Sequence, residues 1–348
     1  MSLTTLAVEP APRRVATVVR FPGPGTASKI LAAMLAVVAR PVISMFARWP
    51  SAPWPFGMAD AAAILLPRPR RAYRRPVSLP NCAAELITPK TARPGGAILY
   101  LHGGGFITCG LNTHRRLAAD VAHAAGFPAL AVCYRQLKQA TLSQALDDAV
   151  DGYRNLLARG YAPEHIGIVG DSAGGYLALI TALAVHRLGL GRPAAVALMS
   201  PVTSVDAESP SLIDVDDPLL TADAIRAIWR MLSDGKSDAD RYLPPQELSN
   251  LPPTLIQVGT REVLYPGGLV LAGQLAVADV PHELQIWEGQ FHVFQAAAPV
   301  LAHARRAIAE VGNFLQHKIF HDSTSPQRPQ SEQRGPITVA TADLDEAL

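Results

Sequence analysis

The seven residues GDSAGGY, Gly170–Tyr176, decide how this chain is read. They follow the apolar run IGIV (166–169) and open the long stretch AGGYLALITALAVHRL (173–188). Gly-x-Ser-x-Gly directly after a strand and directly before a helix marks a sharp turn that lifts a serine hydroxyl clear of the sheet. Any side chain at Gly170 or Gly174 would collide with the adjoining chain. The helix that follows aims its N–H groups and positive dipole end at Ser172, where negative charge would develop if the hydroxyl attacked a carbonyl. Alone, the pentapeptide fits an ordinary tight turn equally well.

A second motif removes that ambiguity. About seventy residues upstream, the strand-like AILYL (97–101) runs into HGGGF, His102 to Phe106. Three successive glycines strip a loop of side chains and let its N–H groups approach a substrate closely. Such a loop supplies the second half of an oxyanion hole. The expected donors are the amides of Gly104, Gly105 and Ala173, with Gly103 assisting. His102 is expected to anchor the loop rather than act as a base, because the chain order serine, acid, histidine requires a later histidine.

That histidine is His292, in the turn after HELQIW (282–287) and Gly289. His303, His317 and His321 fall on a helical pattern or beyond it and read as surface residues. For the acid there are two candidates. Asp217, in DDPLLT, precedes the amphipathic TADAIRAIWRMLSD and reads as the start of a cap helix. Glu262, in GTREVLY, sits four residues past the strand TLIQV, where a carboxylate can hold an imidazole in the required tautomer. Glu262 is therefore the expected acid.

Around these motifs, strands AILYL, PALAV (128–132), IGIV, AAVALM (194–199), TLIQV (254–258) and HELQIW alternate with helical patterns near 113–125, 143–159, 173–188, 267–278 and 297–316. Nearly continuous apolar strands alternating with helices indicate a parallel sheet covered on both faces. YRRPVSL and AAELIT look like an antiparallel pair at its edge. The expected organisation is an α/β fold in three regions. Residues 1–70 form an N-terminal helical cap or arm, and 71–317 the catalytic domain with a cap insertion at 204–250. Residues 318–348, polar and aperiodic, are a disordered tail.

Hydrophobic residues make up 49% of the 348 and charged ones 17%, and the net charge is +2. That balance, with no basic helix and no zinc-ligand spacing, gives no reason to expect a nucleic-acid partner. Cys82, Cys109 and Cys133 are odd in number and lack CxxC spacing, so they read as reduced thiols in a cytoplasmic protein. The start MSLTTLAVEPAPRR lacks the layout of a secretory signal. KILAAMLAVVARPVISMFARW (29–49) has an unbroken apolar run of only ten residues, Ile30 to Ala39, before Arg40 and Pro41. It reads as an amphipathic helix over a pocket or on a lipid surface, since a spanning helix needs about twenty mostly apolar residues. RPRRAYRR (68–75) reads as a solvated edge.

LYLHGGGF, VGDSAGGYLAL, LIQVGTREVL and GQFHVFQ together resemble the hormone-sensitive-lipase-like branch (bacterial carboxylesterase family IV) of the α/β-hydrolases. The resemblance spans about residues 75–317. It implies a mostly parallel central sheet with helices on both faces and a helical cap. It also implies hydrolysis of short-chain acyl esters of small molecules, with no metal or organic cofactor, and it supports Glu262, since some members carry glutamate there. Two departures stand out. CYRQLKQ (133–139) replaces a common DYRLAPE, and Arg261 stands where relatives often have aspartate. The same machinery could serve amide or N-acetyl hydrolysis, or a lipase docked through residues 29–75 in weak contact with a membrane surface. A binding-only receptor of this fold would be expected to lack the histidine. A homodimer remains open.

Overall fold

Runs of β-branched and aliphatic residues build the sheet, and their burial tells which strands are central. The computed structural model describes residues 16–65, 69, 71–137, 139–205, 212, 215–233, 243, 245–320 and 337–339. The chain begins with β1 (Thr17–Phe21), helices α1 (Thr26–Arg48) and α2 (Phe56–Ala62), and strands β2 (Ala72–Ser78) and β3 (Ala83–Pro89). Strand–helix alternation follows: β4 (Ala97–Leu101), α3 (Leu111–Ala125), β5 (Ala129–Cys133), α4 (Leu142–Ala158), β6 (Ile166–Asp171), α5 (Ala173–Arg187) and β7 (Ala195–Met199). The last elements are α6 (Ala222–Ser233), β8 (Thr254–Gly259), α7 (Tyr265–Val277), β9 (His282–Trp287), α8 (Ala302–Phe320) and the short β10 (Ile337–Val339).

These strands form one sheet in the order β10-β1-β9-β8-β7-β6-β4-β5-β3-β2. All pairings from β5 to β1 are parallel. The antiparallel pairs are β2–β3 and β3–β5 at one edge and β1–β10 at the other. Because side chains alternate across a strand, Leu99, Leu101, Ile168, Leu198 and Ile256 face α4, α5 and α7. Ile98, Tyr100, Val169 and Ala197 face α3 and α8. Strands β4, β6, β7 and β8 are buried throughout, as a sheet sandwiched between helices requires. The architecture is the α/β-hydrolase one expected from the motifs.

Three boundaries differ from the sequence reading. The region 1–70 is not all arm, because TVVRF pairs in parallel with β9 as β1. Its Phe21 ring stacks on Trp287 with centroids 3.8 Å apart. Helix α8 continues three residues past the expected limit at 317, and Ile337–Val339 pairs with β1. The rest of the expected tail, and residues 1–15, lie outside the described residues. The third difference is α1, which runs 23 residues straight through Arg40 and Pro41. The apolar run is broken there, but the helix is not, so α1 is long and apolar enough to cross a membrane. Among the described residues of 204–250 there is no strand, only α6 and a 3₁₀ turn at Pro245–Asn250.

The arm is tied to the body. Asp60 of α2 accepts the backbone N–H of Thr113 at 2.8 Å and the Asn112 amide at 3.0 Å, at the start of α3 where negative charge is favoured. Of the arginine run at 68–75, Arg68 and Arg70 lie outside the described residues. Arg71 and Arg75 are exposed on or beside the edge strand β2, and Arg74 pairs with Glu85 at 3.2 Å. Charge on an edge strand discourages further strand pairing.

Candidate active site

Ser172 sits between β6 and α5 with φ 52° and ψ −122°, a conformation that non-glycine residues rarely adopt. Hydrogen bonds hold it there: its N–H donates to Met199 O at 2.9 Å, and its carbonyl accepts from Val202 N at 2.9 Å. A Cβ on Gly170 would lie 2.1 Å from Gly174 O, and one on Gly174 would lie 2.1 Å from Leu101 O. Both glycines are thus obligatory for the bend, and the second lets the turn pack against the end of β4.

His292 and Glu262 meet this serine. The Ser172 hydroxyl lies 2.9 Å from His292 Nε2, and His292 Nδ1 lies 3.0 Å from Glu262 Oε2. The other oxygen of Glu262 accepts the N–H of Gly259, so the longer glutamate folds back on the end of its own strand. All three side chains are buried. Burial pushes the His292 pKa down, but the hydrogen bond and charge of Glu262, with Asp217 and Asp171 behind it, outweigh that effect and raise it.

Asp217 is not the start of the cap helix. Thr221 caps α6 instead, its hydroxyl accepting from Ala224 N at 3.2 Å. The buried Asp217 carboxylate closes a turn onto the N–H groups of Leu219 (2.8 Å) and Leu220 (3.1 Å). It also reaches Val263 N at 3.1 Å, one residue from Glu262.

The glycine loop lies beside Ser172. Gly104 and Gly105 adopt φ 115° and 63°, and a Cβ on Gly104 would meet Thr108 O at 2.1 Å. Among the described residues the N–H groups of Gly104, Gly105 and Ala173 have no protein acceptor. The N–H of Gly103 differs from its expected role, since it donates to Asp171 Oδ2 at 3.1 Å and is occupied. His102 anchors the loop as expected. Its Nδ1 lies 2.7 Å from Gly103 O, its ring stacks on Tyr134, and burial pulls its pKa down to about 4.

Several residues in the site were not singled out from sequence. Asp171, inside the serine motif, accepts from Tyr100 OH at 2.7 Å and lies 3.1 Å from His114 Nε2. Burial raises the Asp171 pKa, but His114 and Tyr100 more than offset it, and Asp171 holds the His114 pKa up in turn. Asp171, held in place by both partners, in turn fixes the Gly103 amide. Ser200 accepts Val293 N at 3.0 Å and so steadies the histidine turn, where Val293 has φ 50°. A serine at a strand end gave no periodic signal. His114 was hidden among other polar residues of its helix, Asn112, Thr113, Arg115 and Arg116.

Above Ser172 opens a cavity of about 690 Å³, within the usual size range of small-molecule sites. Leu31, Leu35, Phe46 and Trp54 of the arm, Ile225 and Ile228 of α6, and Phe291 line it, with Ser172, His292, Gly104 and Gly105 at its floor. The two departures stay out of it. Cys133 ends β5, and Arg261 turns away to Asp216 at 2.7 Å. The three cysteines are free thiols, and Cys109 borders the cavity. Among the described residues no cluster of acidic, histidine and cysteine side chains could hold a metal ion.

Fold and site together define an α/β-hydrolase. Residues 98–296 match the family model described as alpha/beta hydrolase fold. Esterase LipU of Mycobacterium tuberculosis is 39% identical over 292 residues, covering 80% of this chain and 98% of that protein. The carboxylesterase/phospholipase LipF of the same organism is 36% identical, covering 87% and 85%. A crystal structure of an esterase from the bacterial hormone-sensitive lipase family superposes with a TM-score of 0.74 at 28% identity, over 86% of this chain and all of that one. The chain belongs to the hormone-sensitive-lipase-like carboxylesterases of the α/β-hydrolase family.

Proposed function

We propose that this chain hydrolyses short-chain carboxylic esters through Ser172, His292 and Glu262. The observation that carries the reading is the unbroken relay of two contacts, 2.9 and 3.0 Å, from hydroxyl to imidazole to carboxylate. His292 Nε2 takes the proton of Ser172 as its oxygen attacks the ester carbonyl. Glu262 holds the Nδ1–H tautomer and stabilises the imidazolium that forms. The oxyanion is received by the N–H groups of Gly104, Gly105 and Ala173, each such donor being worth roughly 3 kcal/mol in the transition state. Gly103 acts through Asp171, which holds the loop in place. His292 then protonates the departing alcohol, and water repeats the sequence on the acyl-enzyme to release the acid. None of these steps calls for a metal or organic cofactor.

The test is covalent. A fluorophosphonate probe should label the wild type at Ser172 and leave Ser172→Ala unlabelled. Ser172→Ala should also lose at least about 10⁴-fold in kcat on p-nitrophenyl butyrate. Unchanged turnover in that variant would overturn the proposal.

A further inference from the structure

Helix α1 carries two apolar faces that adjoin at Val42, and only one of them is turned toward the body of the protein. A helix apolar all round is normally buried in a core or in lipid, yet here only Ser28, Ala32 and Phe46 are buried. The inner face contributes Leu31, Leu35, Ile43 and Phe46 to the cavity. The outer stripe, Ile30, Met34, Val37, Val38, Val42 and Met45, recurs at helical spacing and is exposed, Val37 to 76% and Val38 to 69%. Trp49 ends the stripe, exposed, with the Arg48 guanidinium over its ring at 5.7 Å. Val42 belongs to both surfaces, so the stripe leads to the cavity.

Charge selects the occupant. From Thr26 to Ala59 there is no carboxylate, while Lys29 and Arg48, both exposed, bracket the stripe. Two copies packed antiparallel along α1 would set Lys29 of one against Arg48 of the other with no acid between them. An anionic lipid surface satisfies both the apolar stripe and its cationic ends. Tryptophan is at home at that boundary.

The helix, about 34 Å long at 1.5 Å per residue, lies on the surface rather than across it. Both of its ends are tied to one body: β1 pairs into the sheet before it, and Thr108 Oγ1 donates to Phe56 O at 2.8 Å after it. Arg40, midway, pairs with Asp216 at 3.1 Å. Crossing a bilayer would tear these apart.

We propose that the outer face of α1 is a docking surface for an anionic phospholipid bilayer, holding the cavity mouth against the lipid. The inference goes beyond the proposed hydrolysis and is read by binding, so the two can fail separately. The full chain would be sedimented with phosphatidylglycerol-containing vesicles, with phosphatidylcholine vesicles alone, and without vesicles. The expected result is cosedimentation with the anionic vesicles, weaker in phosphatidylcholine and weakened by salt. Val37→Glu/Val38→Glu should lower the bound fraction at least tenfold while hydrolysing soluble p-nitrophenyl butyrate as the wild type does, which also reports an intact fold. Lys29→Gln/Arg48→Gln should lose the preference for anionic lipid. Wild type left in the supernatant, or a double-glutamate variant that still binds, overturns the proposal. So does a wild-type dimer that the glutamates convert to monomer without any vesicle binding, which would make the stripe an interface between copies.

Discussion

The Asp217 carboxylate accepts the backbone N–H of Val263 at 3.1 Å, so a buried acid in the cap lead-in grips the residue next to Glu262. Its second oxygen is held by Leu219 and Leu220. Asp217→Ala orphans three N–H groups at once, each at a cost of about 1–3 kcal/mol if it stays dry. The expected result is a lower melting temperature and a kcat reduced about 10- to 100-fold through displacement of the acid loop. One readout separates positioning from mere scaffolding. The charge of Asp217 helps to raise the His292 pKa, so the acid limb of kcat/KM should move to lower pH in the variant. A limb that stays in place would reduce Asp217 to support.

The two glycine donors should respond unequally to a methyl group. Gly104→Ala drives Cβ into Thr108 O at 2.1 Å, backbone that cannot step aside. A displaced donor costs about 10²–10³ in kcat, and that loss is expected here. At Gly105 the nearest atom is Ile228 Cδ1 at 2.8 Å, the tip of a flexible side chain. Gly105→Ala should lose less, mainly the cost of φ 63°, roughly 1–2 kcal/mol. Adding Ile228→Ala should recover part of it. Steady-state kinetics on one soluble ester decide the order, and equal losses would contradict it.

Where the sequence could be read and where it could not follows from the range of the forces involved. Ser172, His292 and Glu262 were legible because steric motifs and strand order locate them. Arm strand β1 was not, although Thr17, Val18, Val19 and Phe21 are good strand formers. Five residues ahead of a long helix carry too little periodicity to stand out, and their parallel partner β9 lies more than 260 residues away. The stacking of Phe21 on Trp287 makes a prediction of this. Phe21→Ala should cost about 3–5 kcal/mol, as large-to-small changes in a core do, measured by urea unfolding. An arm dispensable to the sheet would show almost none of that loss.

The network behind the glycine loop was illegible for another reason. Asp171 looked like a spacer in the serine motif, and His114 like one polar residue of an amphipathic helix. Only the tertiary fold, which brings the first turn of α3 to the end of β6, makes them a pair, at 3.1 Å. Asp171→Asn removes the charge that holds the Gly103 N–H and His114. The expected outcome is a fall in kcat with KM nearly constant, because the loss appears when the oxyanion forms. A change confined to KM would instead point to altered binding of the ground state.

The His292 pKa carries the remaining prediction. Burial alone would favour the neutral ring, yet Glu262 reverses the balance, and the pKa lies above the ordinary 6.5. A protonated imidazole cannot accept the Ser172 proton, so kcat/KM should climb with pH through a limb above 6.5 and level off beyond it. Glu262→Gln takes away the negative charge and leaves burial in command. The limb should then slide to lower pH even as the plateau drops, because a neutral amide no longer stabilises the imidazolium formed in attack. Glu262→Asp should keep the limb raised while lowering the plateau, since the shorter side chain keeps the charge but must reach further to Nδ1. If the limb ignores both substitutions, some other group governs proton transfer and the role given to Glu262 is wrong.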